Sequence, residues 1–294
     1  MRRVLVTGGS GQVGGALSAL RTDDLLFVSP PRAELDLASE ESIRCYLQRQ
    51  KLDGIINCAA YTAVDKAESE KELAFQINAT APGLLAQYSA QAQIPLLHVS
   101  TDYVFSGELD RPYVEDDVIA PINVYGASKA AGEAIIRSTT NHHIILRTSW
   151  VISAAGSNFL KTMLRLAADR DELRVVADQM GRPTSALDIA QILSLLVTKA
   201  LDAQASFGTF HFANQGDTTW AAFAQQIFDC SRQRQGPCAR IVPITTADYP
   251  TPAKRPRNSR LSTNKIETVY GITPRPWAEA VSEIVSTLIP QGAA

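Results

Sequence analysis

Three glycines that follow a short apolar run constrain this chain more than any other feature. Val4-Leu5-Val6-Thr7 reads as a strand, and Gly8-Gly9-Ser10-Gly11-Gln12-Val13-Gly14 then opens a helix over Gln12 to Leu20. A strand that passes through glycine directly into a helix is the setting in which a dinucleotide is held. Gly8 permits the tight turn, Gly11 lets a pyrophosphate approach the backbone, and Gly14 allows the helix to pack closely. The helix N-terminus adds free N–H groups and the positive end of its dipole.

The same rhythm continues. Strands are expected at Leu25 to Val28, Gly54 to Asn57, Pro95 to Ser100 and His143 to Thr148. Helices are expected at Glu40 to Gln50, as one long element over Glu68 to Gln91, and around Tyr125 and Lys129. Strands alternating with helices imply right-handed crossovers, so the fold class is α/β, a Rossmann-type doubly wound parallel sheet. Beyond about residue 149 strands thin out, and Pro/Gly punctuation appears at Gly181-Arg182-Pro183, Gly236-Pro237 and Tyr249-Pro250-Thr251-Pro252. Residues 1–150 are therefore expected to bind the dinucleotide. Residues 151–294 are expected to form a smaller C-terminal region over the strand ends, with some elements returning to the sheet.

Composition narrows the function. A net charge of -2 and the lack of a basic run give nucleic-acid binding little electrostatic support. No stretch is long and apolar enough to span a bilayer, and the N-terminus runs straight into a strand, so neither a membrane partner nor a signal peptide is expected. Four cysteines, Cys45, Cys58, Cys230 and Cys238, lack metal-ligand or disulfide spacing, which fits reduced thiols in a cytoplasm.

Tyr125 and Lys129 supply the chemistry. Residues four apart on a helix share a face. An ammonium beside the phenol oxygen favours its ionised form and would draw a tyrosine of ordinary pKa ~10 toward neutrality. Such a tyrosine can exchange a proton at physiological pH. Tyr-x-x-x-Lys is weak alone; with the glycine turn it reads as a nicotinamide-dependent oxidoreductase.

Longer motifs are more specific. They are Asn57-Cys58-Ala59-Ala60-Tyr61-Thr62-Ala63-Val64-Asp65-Lys66-Ala67-Glu68, Ser100-Thr101-Asp102-Tyr103-Val104-Phe105, Arg147-Thr148-Ser149-Trp150-Val151, Asp178-Gln179-Met180-Gly181-Arg182-Pro183-Thr184 and Pro252-Ala253-Lys254-Arg255-Pro256-Arg257-Asn258-Ser259-Arg260-Leu261. With Gly-x-x-Gly-x-x-Gly they span nearly the whole chain. In them the chain resembles the dTDP-4-dehydrorhamnose reductases, a family of the extended short-chain dehydrogenase/reductase superfamily. The resemblance implies reduction of a 4-keto sugar nucleotide at C4, with hydride from the cofactor. It makes Thr101 the hydroxyl that stabilises the carbonyl oxygen, Tyr125 the proton donor, and Lys129 the residue that tunes Tyr125 and holds the nicotinamide ribose. It puts Gly8, Gly11, Gln12, Val13 and Gly14 on the cofactor phosphates, Asp36 and Leu37 on the adenine side, and Ala59, Ala60 and Tyr61 beside the nicotinamide. Asp102 and Trp150 face the sugar; Asn158, Lys161, Arg255 and Arg260 are candidates for the nucleotide diphosphate.

Two departures sharpen the expectation. Where an acid would meet the adenosine ribose, the chain reads Val28-Ser29-Pro30-Pro31-Arg32, and Ser29 with Arg32 would welcome a ribose phosphate. NADPH is expected over NADH. Family members that dimerise around magnesium carry two glutamates, where this chain has Ala16 and Leu187. A hard cation then has few carboxylates to bind, so no metal site is expected and a monomer or weak dimer is. Two other readings stay open: a sugar-nucleotide 4-epimerase or dehydratase, and a non-catalytic NADP-binding regulatory subunit.

Overall fold

The computed structural model describes residues 1–290. The chain begins with β1 (Arg2–Thr7), α1 (Gln12–Ala19), β2 (Leu25–Val28), α2 (Glu40–Gln48) and β3 (Gly54–Asn57). Next come α3 (Val64–Ala67), α4 (Lys71–Phe75), a π-turn (Gln76–Thr80) and α5 (Ala81–Ala92). They are followed by β4 (Leu96–Thr101), α6 (Val124–Thr139) and β5 (His143–Thr148). The C-terminal half contributes β6 (Val151–Ile152), α7 (Phe159–Ala167), β7 (Glu172–Val176), β8 (Met180–Gly181), β9 (Thr184–Ser185), α8 (Ala186–Leu201) and β10 (Gly208–His211). It ends with β11 (Thr218–Thr219), α9 (Trp220–Arg232), β12 (Arg240–Ile244), α10 (Asn264–Tyr270) and α11 (Trp277–Leu288).

Six strands form one parallel sheet in the order β10-β5-β4-β3-β1-β2. Winding reverses between β1 and β3, and a crevice opens at such a switch point beyond the carboxyl ends of the strands. Both faces are covered, which is why the strands read as near-continuous apolar runs. Val4, Val6, Ile56, Leu97 and Ile144 pack beneath α1 and α8. Leu5, Ile55, Leu96 and Ile145 pack beneath α2, α5 and α6. Two elements from beyond residue 150, α8 and β10, complete this layer.

A third core belongs to the C-terminal half. There β7 pairs in parallel with β12, and α7, α9 and α11 close around Leu160, Phe223, Phe228 and Val281.

One element differs from expectation. The single long helix expected over Glu68 to Gln91 begins only at Lys71, after α3 and a break, and runs to Ala92 with the π-turn in its middle. For the π-turn the reason is Asn78. Its side chain accepts from the Tyr61 backbone N–H at 2.8 Å and donates to Tyr61 O at 3.1 Å and to Ser128 Oγ at 2.9 Å. The local widening places one buried amide between the segment after β3 and helix α6. Among the described residues, no helix is long and apolar enough to cross a membrane.

Candidate active site

A cleft of about 1270 Å³ lies over the carboxyl ends of the sheet. The glycine turn forms its floor. Gly8 has φ 73°, and a Cβ there would lie 2.8 Å from Ala59 Cα. A Cβ on Gly14 would lie 2.3 Å from the Gly8 carbonyl oxygen, so α1 can seat against the turn only with glycine there. No side chain caps α1, whose first residue follows Gly11, and Gly11, Gln12 and Val13 all line the cleft. An uncapped helix end suits an anion. Ser29, Arg32, Asp36, Leu37, Ala59 and Ala60 extend the same wall. Arg32 is well exposed and reaches Asp36 at 3.3 Å.

Thr101, Asp102, Tyr125, Lys129 and Trp150 gather at the other end. Asn123 caps α6 by accepting from the Gly126 N–H at 2.8 Å, which fixes the helix start at Val124, one residue before Tyr125. Thr101 ends β4; its hydroxyl donates to Asp102 Oδ1 at 2.9 Å and accepts from the Tyr103 N–H at 3.2 Å. Burial pushes the Asp102 carboxyl up to about 6, against the pull of neighbouring hydroxyls. Three buried side-chain atoms among the described residues lack a hydrogen-bond partner: Ser100 Oγ, Asp102 Oδ2 and Thr148 Oγ1. All three residues line the cleft at the ends of β4 and β5. Unsatisfied buried polar atoms are uncommon in folded proteins, and here they cluster where a polar ligand would sit.

The expected tuning of Tyr125 by Lys129 is not what this structure shows. Lys129 Nζ donates to Val99 O at 2.8 Å and lies 3.0 Å from His98 Nε2. Burial pushes the amine down to about 8, opposed by Glu133 and Cys58. The Tyr125 phenol is pushed up to about 12, not down, by burial first; Thr101 opposes the shift and the Asp102 charge adds to it. Burial dominates at the phenol, while the hydrogen bonds of the amine go to residues of β4.

Several expected binding residues lie outside the cleft lining. Tyr61 directs its hydroxyl to Glu70 Oε2 at 2.6 Å. Arg255 forms a two-pronged pair with Asp65 at 2.9 and 2.8 Å. Arg260 is held by Asn258 Oδ1 at 2.8 Å, by Asp217 at 3.1 Å and by the Asp110 carbonyl. Lys161 sits half-buried on α7, beyond the lining. Asn158, by contrast, lines the cleft and donates to Gln12 Oε1 at 2.8 Å, tying the two walls together.

Sequence reasoning named Trp150 but missed its aromatic partners in the cleft, Phe159 and Trp220. Trp150 has a left-handed backbone, φ 45°, and stacks on Trp220 with centroids 3.5 Å apart. Phe159 leans on Trp220 at 4.7 Å, and both rings line the cleft. Trp220 Nε1 donates to Gln179 Oε1 at 3.1 Å. A bulky residue at positive φ is strained and is found where surrounding contacts enforce it. An aromatic residue opening a helix gives no hint in sequence that it faces a cleft.

The family described as the RmlD substrate binding domain matches residues 1–289. A dTDP-4-dehydrorhamnose reductase from Sinorhizobium fredii is 42% identical over 292 residues, covering 99% of each chain. The crystal structure of a dTDP-4-dehydrorhamnose reductase from Bacillus anthracis in complex with NADP superposes with a TM-score of 0.90 at 35% identity, covering 97% of this chain and 99% of that one. The Clostridium acetobutylicum counterpart gives the same TM-score and coverage at 34% identity. A match along the described chain, and relatives alike in sequence from end to end, agree with the glycine turn, the Thr101–Tyr125–Lys129 cluster and the sheet order: the chain belongs to the RmlD substrate-binding-domain family, with the fold of the short-chain dehydrogenase/reductases.

Proposed function

We propose that the chain is a dTDP-4-dehydrorhamnose reductase that converts the C4 ketone of its sugar nucleotide to an alcohol with NADPH. The observation that carries the proposal is the junction, in one cleft, of an uncapped glycine-framed helix end with Thr101, Tyr125 and Lys129. The residues fit a dinucleotide: the turn has no room for side chains at Gly8 and Gly14, and the cleft exceeds the ~300–1,000 Å³ of ordinary ligand sites. When bound, the nicotinamide supplies the hydride.

The chain's own residues do the rest. Thr101 donates to the carbonyl oxygen as negative charge grows there. Tyr125, held protonated by its raised pKa, delivers the proton to that oxygen. Lys129 holds the ribose and the position of the phenol. Asp102, with its free Oδ2, meets a sugar hydroxyl, and the Trp150–Trp220 stack forms the wall on which the sugar nucleotide lies. Ser29 and Arg32 favour the 2′-phosphate of NADPH over NADH. Residues 1–150 serve mainly the cofactor and 151–294 mainly the sugar nucleotide. With Ala16 packed on the sheet core and Leu187 exposed where the magnesium-bridged relatives have acids, the enzyme works as a cytoplasmic monomer or weak dimer without a metal bridge.

The decisive experiment is nicotinamide oxidation by the purified chain given dTDP-4-dehydro-L-rhamnose, with NADPH and NADH side by side. Tyr125→Phe should lower turnover by ~10²–10⁴-fold with cofactor affinity unchanged. No turnover with either cofactor, despite cofactor binding, would overturn the reductase and favour another sugar nucleotide or a regulatory role.

A further inference from the structure

His98 has no part in the chemistry above, yet it touches the catalytic amine directly. It sits on β4 and is completely buried. Its Nε2 lies 3.0 Å from Lys129 Nζ, and its Nδ1 lies 2.9 Å from Asn57 Nδ2. Asn57 Oδ1 meets the Thr7 hydroxyl at 2.5 Å. A fully buried row therefore runs from the amine to the end of β1, against the glycine turn. Lys129 Nζ has one further partner, the Val99 carbonyl at 2.8 Å.

We propose that His98 is a positioning residue for Lys129, whose imidazole lets the amine gain or lose a proton while always offering the cleft a single N–H. An ammonium has three donors and no acceptor; a neutral amine has two donors and one lone pair. With Lys129 charged, Val99 O and His98 Nε2 take two donors, and one remains. With Lys129 neutral, Val99 O takes one donor and an Nε2–H imidazole donates to the lone pair, and again one remains. The change needs only the other imidazole tautomer and a turn of the Asn57 amide, which swaps a donor for an acceptor of the same shape. The Thr7 hydroxyl serves either arrangement. His98 itself stays neutral, because burial and the Lys129 charge hold its pKa well below the ordinary range. The other ionisable groups around the amine are Tyr125 and Glu133 on α6 and Cys58 after β3. Glu133 is held by Arg147 and Arg137. What the remaining N–H is used for rests on the reductase reading; the pairing with His98 does not.

Nitrogen-15 NMR of histidine-labelled intact protein, with and without NADP⁺, reads each tautomer. The chain has four histidines, and His98→Gln identifies the signal. His98 should pass from the Nδ1–H to the Nε2–H form as pH rises through about 8, without becoming imidazolium, and Lys129→Met should abolish the change. A single tautomer between about pH 6 and about pH 11, a range that brackets ordinary histidine and lysine titration, overturns the proposal, as does a change that survives Lys129→Met. In turnover, His98→Leu removes an acceptor from the ammonium and should move the basic limb of kcat down by about one to two pH units; His98→Gln should restore it. An unmoved limb in His98→Leu also overturns the proposal. If His98→Leu fails to fold, the tautomer measurement on wild type and Lys129→Met decides. That measurement needs no substrate, so a failed reductase reading and a failed His98 reading are told apart.

Discussion

The wall of the cleft that comes from β1, β3 and β4 is made of backbone and buried polar side chains, whereas the facing wall, from Trp150, Phe159 and Trp220, is made of aromatic rings. On the first wall, shape is enforced by main-chain atoms: Gly14 has the Gly8 carbonyl at the distance a Cβ would need. On the second, the close neighbour of Gly181 is the Trp150 ring, where a Cβ would lie 2.3 Å away. Main chain anchored directly at the strand ends yields less readily than a side chain does. The first wall is therefore suited to an invariant cofactor and the second to a substrate.

Exchanging glycine for alanine on each side puts that contrast under the greatest strain. Gly14→Ala should destabilise the chain by about 3 kcal/mol or more and abolish cofactor binding, because overpacking here meets backbone. Gly181→Ala should leave cofactor binding intact and raise KM for the sugar nucleotide through a displaced Trp150. Thermal unfolding and calorimetric titration with NADP⁺ measure both. Equal loss of cofactor binding in the two variants would erase the distinction between the walls.

A somewhat smaller effect comes from Asp102, the buried acid at the junction. Its folded pKa of about 6 lies above the ordinary 3.8, so the folded state binds the extra proton between those values. The stability it contributes is present below about pH 4 and is lost as pH rises through about 6. Asp102→Asn keeps the neutral form at every pH. Its stability relative to wild type should climb across that window by about 2–3 kcal/mol, measured by denaturant unfolding at a series of pH values. A flat difference would mean that Asp102 is ionised throughout.

The smallest effect concerns the rim of the first wall. Arg32→Ala should raise KM for NADPH about fivefold, as expected for an exposed ion pair of about 1 kcal/mol, and leave NADH kinetics unchanged. The Arg32–Asp36 pair is exposed enough to open for a phosphate. Unchanged kinetics with both cofactors would remove Arg32 from the site.

The two walls also differ in how far they could be read in advance. The glycine turn, the first five strands and the pairing of Tyr125 with Lys129 on one helix follow from local periodicity and spacing. Spacing shows which residues share a helix face but not what the opposite element offers, so the attachment of Lys129 to His98 and Val99 was out of reach. The π-turn was equally hidden, since its cause is the tertiary contacts of Asn78. Arginines attract phosphate in any sequence reading; only the fold reveals that Arg255 faces Asp65 and Arg260 faces Asp217. The aromatic wall is assembled from three separate stretches of chain; the motif around Trp150 announces one of them, and no local pattern announces Phe159 or Trp220.

That wall has a practical consequence. The chain has three tryptophans, and Trp150, Trp220 and Trp277 all pack around Phe223 in the C-terminal core. Tryptophan emission thus comes wholly from one half of the molecule, with two indoles close enough to share excitation. A melt followed by selectively excited tryptophan fluorescence reports the aromatic half alone, while circular dichroism reports both. The gap between the two midpoints measures how tightly the two halves of the cleft unfold together.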